Sequence, residues 1–62
     1  MEDKKVVVVD DDLQVGIVMK KLLEERGAKV ETADSYEGGL KLIKENQPDV
    51  AVVDVMMPEH SG

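Results

Sequence analysis

The chain has 62 residues, no cysteine, one tyrosine and a formal net charge of −6 at pH 7, which together allow one small domain with an aliphatic core and no disulfide. The negative charge argues against nucleic acid as a partner, because phosphates are neutralised by patches of lysine and arginine, and against an anionic membrane surface. No apolar stretch approaches the roughly 20 residues of a membrane span, and the charged N-terminus has no signal-peptide pattern, so we expect a soluble cytoplasmic protein.

The first predicted elements are a strand and a helix joined by three consecutive aspartates. Lys5 to Asp10 is a continuous β-branched run, which is typical of a strand covered on both faces. A helix is predicted from Leu13 to Arg26, with Asp12 as its N-cap and Gly27 as the left-handed residue that ends it. Four apolar residues recur at helical spacing and are expected to face the core: Leu13, Ile17, Val18 and Leu22.

A second strand and helix follow. Lys29 to Ala33 alternates polar and apolar residues, which indicates a half-solvated edge strand. Ser35 is the expected N-cap of a helix from Tyr36 to Asn46, with core contacts from Leu40 and Ile43. The pair Gly38 and Gly39 is unusual there, because glycine in a helix costs roughly 1 kcal/mol relative to alanine, so we expect this helix to be the weakest element.

The third predicted strand, Asp49 to Asp54, completes a β-α-β-α-β pattern, and a loop from Val55 to Gly62 follows it. This pattern predicts a parallel sheet, and right-handed crossovers with one helix on each face give the strand order 2-1-3. The first and third strands are then neighbours, about 4.8 Å apart, and ligands bind beyond their carboxyl ends. Asp10, Asp11 and Asp54 are expected to meet there and to share a cation, because clustered carboxylates otherwise repel one another.

Three motifs together resemble the receiver domain of two-component response regulators: Val-Val-Asp-Asp at 8–11, Pro-Asp-Val-Ala-Val-Val-Asp at 48–54, and Met-Pro at 57–58 with a glycine at 62. Any one of them alone would be weak, but jointly they are specific. The resemblance covers the whole chain and only the N-terminal half of the family's domain. It therefore implies an α/β fold, a flavodoxin-like half-domain, and a truncated receiver domain over residues 1–62.

The resemblance also implies a role for each site residue. Asp54 matches the phosphoacceptor, which becomes an aspartyl phosphate. Asp11 matches the direct Mg²⁺ ligand, Asp10 the second acidic residue that binds the ion directly or through water, and Met56 the position whose backbone carbonyl completes the metal shell. These roles agree with the chemistry, because Mg²⁺ prefers carboxylates, waters and phosphate oxygens, and an ionised carboxylate needs no general base. A sensor histidine kinase or another phosphodonor is the implied partner.

Other readings of these residues stay open. Residues 10–12 could be only a strand-end turn with a helix cap, and His60 could ligate a soft metal, although no second histidine or cysteine supports it. A carboxylate-based phosphatase would need an aspartate two residues after the nucleophile, where this chain has Met56. We therefore expect no enzyme, beyond phosphorylation of Asp54 itself.

The chain also departs from the family's pattern. The Ser or Thr and the Lys that contact the phosphoryl group in the family have no match here, so we expect phosphorylation to be impaired. The third strand, with Val50, Val52 and Val53, becomes an exposed edge that invites another chain. Homo-oligomerisation through this edge, in a half-domain that only assembles or complements its missing half, is the alternative function.

Overall fold

A computed structural model describes residues 2–54 and shows the predicted succession of elements. Strand β1 (Lys5–Val9) is followed by helix α1 (Leu13–Glu25), strand β2 (Lys29–Ala33), helix α2 (Tyr36–Asn46) and strand β3 (Val50–Val53). The predicted boundaries are confirmed to within one residue. The predicted loop over residues 55–62 lies outside the described residues.

The three strands form one parallel sheet in the order β2-β1-β3, as the sequence predicted for a flavodoxin-like half-domain. In register, Val9 at the end of β1 lies between Ala33 of β2 and Val53 of β3. At the N-terminal ends of β1 and β3, Asp49 extends the pairing of the two strands. Its amide donates to the carbonyl of Lys5 at 2.8 Å, and its carboxylate accepts from the amide of Lys5 at 2.9 Å. All three strands therefore end at the same edge of the sheet.

The central strand carries the core on both of its faces. On one face, Val6 and Val8 pack with Ala28 and Val30, and α1 adds its half-buried side chains. On the other face, Val7 and Val9 pack with α2; the partly buried residues there are Ala33, Tyr36, Leu42 and Ile43. The four valines are each no more than 2% exposed, which explains why β1 reads as an unbroken β-branched run.

The prediction of which face of α1 packs against the core is wrong. The side chains expected to be buried are more than half exposed: Leu13, Ile17, Val18 and Leu22. The helix instead turns Gly16, Met19 and Leu23 toward the sheet. This face was missed because Gly16, which is buried, contributes almost nothing to an apolar pattern.

In α2 the prediction is half right. Ile43 packs on Val7 and Val9 as expected, whereas Leu40 is 44% exposed. The buried position is Gly39, because a Cβ there would overlap Val9 Cγ2 and would lie 2.9 Å from Val9 Cγ1. A glycine that looks costly in the sequence is therefore required by the close approach of α2 to β1.

The predicted helix caps are confirmed. Asp12 and Ser35 accept hydrogen bonds from the first amides of α1 and α2. After Arg26, Gly27 has φ +90°, its amide binds the carbonyl of Glu24, and the next amide reaches back to Leu23. These two bonds are those of a Schellman motif, in which glycine adopts the left-handed conformation without a steric penalty.

Candidate metal centre

The carboxyl ends of β1 and β3 bring three aspartates together. Asp10 and Asp11 directly follow β1, and Asp54 directly follows β3. The amide of Asp54 donates to the carbonyl of Val9 at 2.9 Å, and the amide of Asp10 donates to the carbonyl of Ala33 at 3.0 Å. The sheet pairing thus continues into the acidic residues, so their backbone positions are set by the strands.

The geometry of this cluster fits a divalent cation. Asp10, Asp11 and Asp54 each offer a carboxylate oxygen, and these atoms all lie within 4.8 Å of one another. Around an octahedral Mg²⁺ with metal–oxygen distances near 2.1 Å, opposite ligands are about 4.2 Å apart and adjacent ones about 3.0 Å. Two carboxylate oxygens at the upper limit of 4.8 Å would have to approach each other by about 0.6 Å to lie on opposite sides of the ion. Rotation of a carboxylate group is enough for a shift of this size.

Burial places the cluster at an open edge of the sheet. Asp10 and Asp54 are half-buried, and Asp11 is exposed. An exposed ligand leaves room for water in the coordination shell, and Mg²⁺ usually keeps several waters when proteins bind it. Asp54 keeps part of its surface exposed at the same edge.

A backbone hydrogen bond orients Asp10. The amide of Asp12 donates to Asp10 Oδ1 at 2.9 Å, which is an Asx-turn. Sequence reasoning assigned Asp12 to the cap of α1 and missed this second contact. The available signal was the spacing itself, because an aspartate commonly accepts the amide two residues further along the chain.

Two predicted positions cannot be placed beside this cluster. Met56, expected to supply a backbone carbonyl, and His60, weighed as a soft-metal ligand, both lie outside the described residues. The described part of the site therefore consists of the three aspartates.

In the part of the chain that the structure describes, no helix has the length and apolar character needed to cross a bilayer.

Sequence comparison agrees with the fold. Residues 6–62 match the family model of the response regulator receiver domain. The chain belongs to this family, whose members are signalling modules that work in two-component systems.

Similar proteins include transcriptional regulatory proteins and a probable response regulator. The chain is 39% identical over 56 residues to the transcriptional regulatory protein AfsQ1 of Streptomyces coelicolor, covering 90% of the chain and 25% of that protein. It is 43% identical over 60 residues to the probable C4-dicarboxylate response regulator DctR of Bacillus subtilis, covering 94% of the chain and 26% of DctR. It is also 38% identical over 60 residues to the alkaline phosphatase synthesis transcriptional regulatory protein PhoP of Bacillus subtilis, covering 97% of the chain and 25% of PhoP. The chain thus spans about a quarter of the length of these relatives.

Proposed function

We propose that this chain is the N-terminal part of a receiver domain, over residues 1–62, that binds Mg²⁺ and accepts a phosphoryl group on Asp54. The observation that supports it is the convergence of Asp10, Asp11 and Asp54, with carboxylate oxygens within 4.8 Å of one another, at the carboxyl edge of a parallel sheet. This edge is where open α/β sheets bind their ligands. Membership of the receiver family supports the same role.

In the proposed reaction, a carboxylate oxygen of Asp54 forms a bond to phosphorus while the bond from phosphorus to the donor breaks. The donor's leaving group keeps that electron pair, and the product is an aspartyl phosphate. Asp10 and Asp11 hold the cation next to Asp54, with the Met56 carbonyl as a further proposed ligand. A bound Mg²⁺ would neutralise the charge that gathers on the phosphoryl oxygens.

The partner that we propose is a sensor histidine kinase or a small phosphodonor, since receiver domains take their phosphate from histidine kinases. The chain would then act as a cytoplasmic phosphoacceptor and would not turn over a separate substrate. The net charge of −6 supports a protein partner over nucleic acid for this segment.

The test is mass spectrometry of the intact chain after incubation with Mg²⁺ and acetyl phosphate, a small phosphodonor. We expect a fraction of the chain to gain one phosphoryl group, and we expect neither Asp54→Asn nor an incubation without divalent cation to give that product. Asp49→Asn is the matched control, because Asp49 also flanks β3 but lies at its opposite end. Unmodified wild-type chain, or equal labelling of Asp54→Asn, would contradict the proposal.

We also propose homo-oligomerisation through the outer edge of β3. Among residues 2–54, β3 pairs only with β1, and Val50, Val52 and Val53 are 37–40% exposed. A two-fold axis at this edge would join two sheets through antiparallel strands into six strands. Light scattering after size exclusion should show a dimer or a larger species; a folded monomer at micromolar concentration would rule this out without affecting the phosphoacceptor role.

A further inference from the structure

Asp12 follows the proposed metal ligands in the chain, but its carboxylate serves helix α1. Its Oδ1 accepts hydrogen bonds from the amide of Gln14 at 2.9 Å and from the amide of Val15 at 3.4 Å. Its carbonyl accepts the amide of Gly16 at 3.1 Å, which is the first bond of the helix. Asp12 is therefore fixed to α1 by both its side chain and its backbone.

The amide of Asp12 points in the other direction, toward the acidic cluster. It donates to Asp10 Oδ1 at 2.9 Å, so one oxygen of a proposed ligand is held by the backbone of the capping residue. Asp12 itself is extended, with φ −94° and ψ 108°, as an N-cap residue must be. The Asp10 carboxylate is thus hydrogen-bonded to the backbone of the residue that starts α1.

We propose that Asp12 is a positioning residue for the divalent-cation site: by capping α1, it holds the amide that orients Asp10 toward Asp11 and Asp54. This inference rests on the proposed function. Without the cap, the first turn frays and the amide of residue 12 loses its fixed place, so Asp10 must be ordered when the ion binds. Substituting groups that orient metal ligands typically changes metal affinity by 10- to 100-fold. We expect roughly the lower end of that range, because Asp12→Ala keeps the backbone amide that binds Asp10.

The experiment is a titration of the whole chain with Mn²⁺, which takes the same oxygen ligands as Mg²⁺ and is detected by paramagnetic resonance. We expect Asp12→Ala to bind Mn²⁺ roughly tenfold more weakly than wild type. Asp12→Asn keeps a capping oxygen and loses the charge, so its binding should weaken by no more than about threefold, since an exposed charge contributes little in water.

Ser35→Ala is the matched control for a general loss of stability. It removes the N-cap of α2, where Ser35 Oγ accepts the amide of Gly38 at 3.0 Å, and it leaves α1 intact. With dissociation constants corrected for the folded fraction, we expect Ser35→Ala to bind Mn²⁺ as wild type does. An equal loss of affinity in Ser35→Ala and Asp12→Ala would overturn the positioning role.

Amide hydrogen exchange in the ion-free chain gives a second readout that does not depend on binding. Asp12→Ala should accelerate exchange at residues 12, 14 and 15 more than at amides within the sheet. Equal Mn²⁺ affinities for wild type, Asp12→Ala and Asp12→Asn would overturn this inference alone. A similar loss in Asp12→Asn and Asp12→Ala would assign the effect to charge and would also overturn it, whereas a wild-type chain that binds no Mn²⁺ would overturn the proposed function as well.

Discussion

Replacing Gly39 by alanine should destabilise the fold, although alanine is the better helix former. Helix propensity alone would make Gly39→Ala more stable by about 1 kcal/mol. The new Cβ, however, would overlap Val9 Cγ2 and would lie 2.9 Å from Cγ1 and 3.2 Å from Cβ of Val9. Because both methyl groups and the branch carbon are involved, rotation of this stiff side chain gives no escape. Overpacking a core costs about 1–3 kcal/mol, and the upper end applies here, so we expect a net loss of about 2 kcal/mol.

The assay is urea unfolding followed by circular dichroism, with Gly16→Ala as the matched control. Gly16 is also a buried helical glycine. Apart from its two chain neighbours and the backbone of its own helix, no described atom lies within 4 Å of a Cβ built on it. Gly16→Ala should therefore raise the free energy of unfolding by about 1 kcal/mol, which separates the two variants by about 3 kcal/mol. If Gly39→Ala were as stable as wild type, the close packing of α2 on β1 would be refuted.

Three further predictions concern a backbone strain, a cap and the ion. Gln47 has φ +48°, which favours glycine, so Gln47→Gly should raise the free energy of unfolding by about 0.5–1 kcal/mol in the same urea assay; no gain would refute the left-handed cap. Ser35→Ala should lower it by about 1 kcal/mol, whereas Ser35→Asp should stay near wild type because it keeps a capping oxygen. Mg²⁺ at 100 times its dissociation constant should stabilise the chain by about 2.7 kcal/mol in thermal unfolding, and Asp11→Asn should remove most of that gain. Equal stabilisation of the wild-type chain and Asp11→Asn would contradict the proposal that Asp11 is a ligand.

The sequence was sufficient for the strand order and for the three carboxylates. The alternation of apolar runs with helical segments fixes a parallel sheet, and two aspartates after one strand and one after the next must then share an edge. The helix caps could also be predicted from the sequence. Asp12 and Ser35 have side chains that accept the amides of a first helical turn, and Gly27 can adopt the left-handed conformation that ends a helix. These features depend on local chemistry and on topology, which a single sequence contains.

The faces of the helices were harder to predict. Helix α1 has apolar residues around much of its circumference, so periodicity alone could not choose between the Leu13 face and the Met19 face. The deciding residues, Gly16 and Gly39, have no side chain and give no hydrophobic signal, although both are buried. The contact between the Asp12 amide and Asp10 was missed for a different reason, since Asp12 was assigned only to the helix cap although an aspartate commonly accepts the amide two residues further along the chain.

The most direct test of the shared-ion geometry is a calorimetric titration of the chain with Mg²⁺, repeated on Asp11→Asn and Asp54→Asn. If the ends of β1 and β3 hold one ion between them, the wild-type chain binds a single Mg²⁺ and substitution on either strand weakens binding severalfold or more. If affinity is lost on one strand only, or if neither substitution matters, the two strand ends do not share an ion and the proposed phosphoryl chemistry at Asp54 loses its basis.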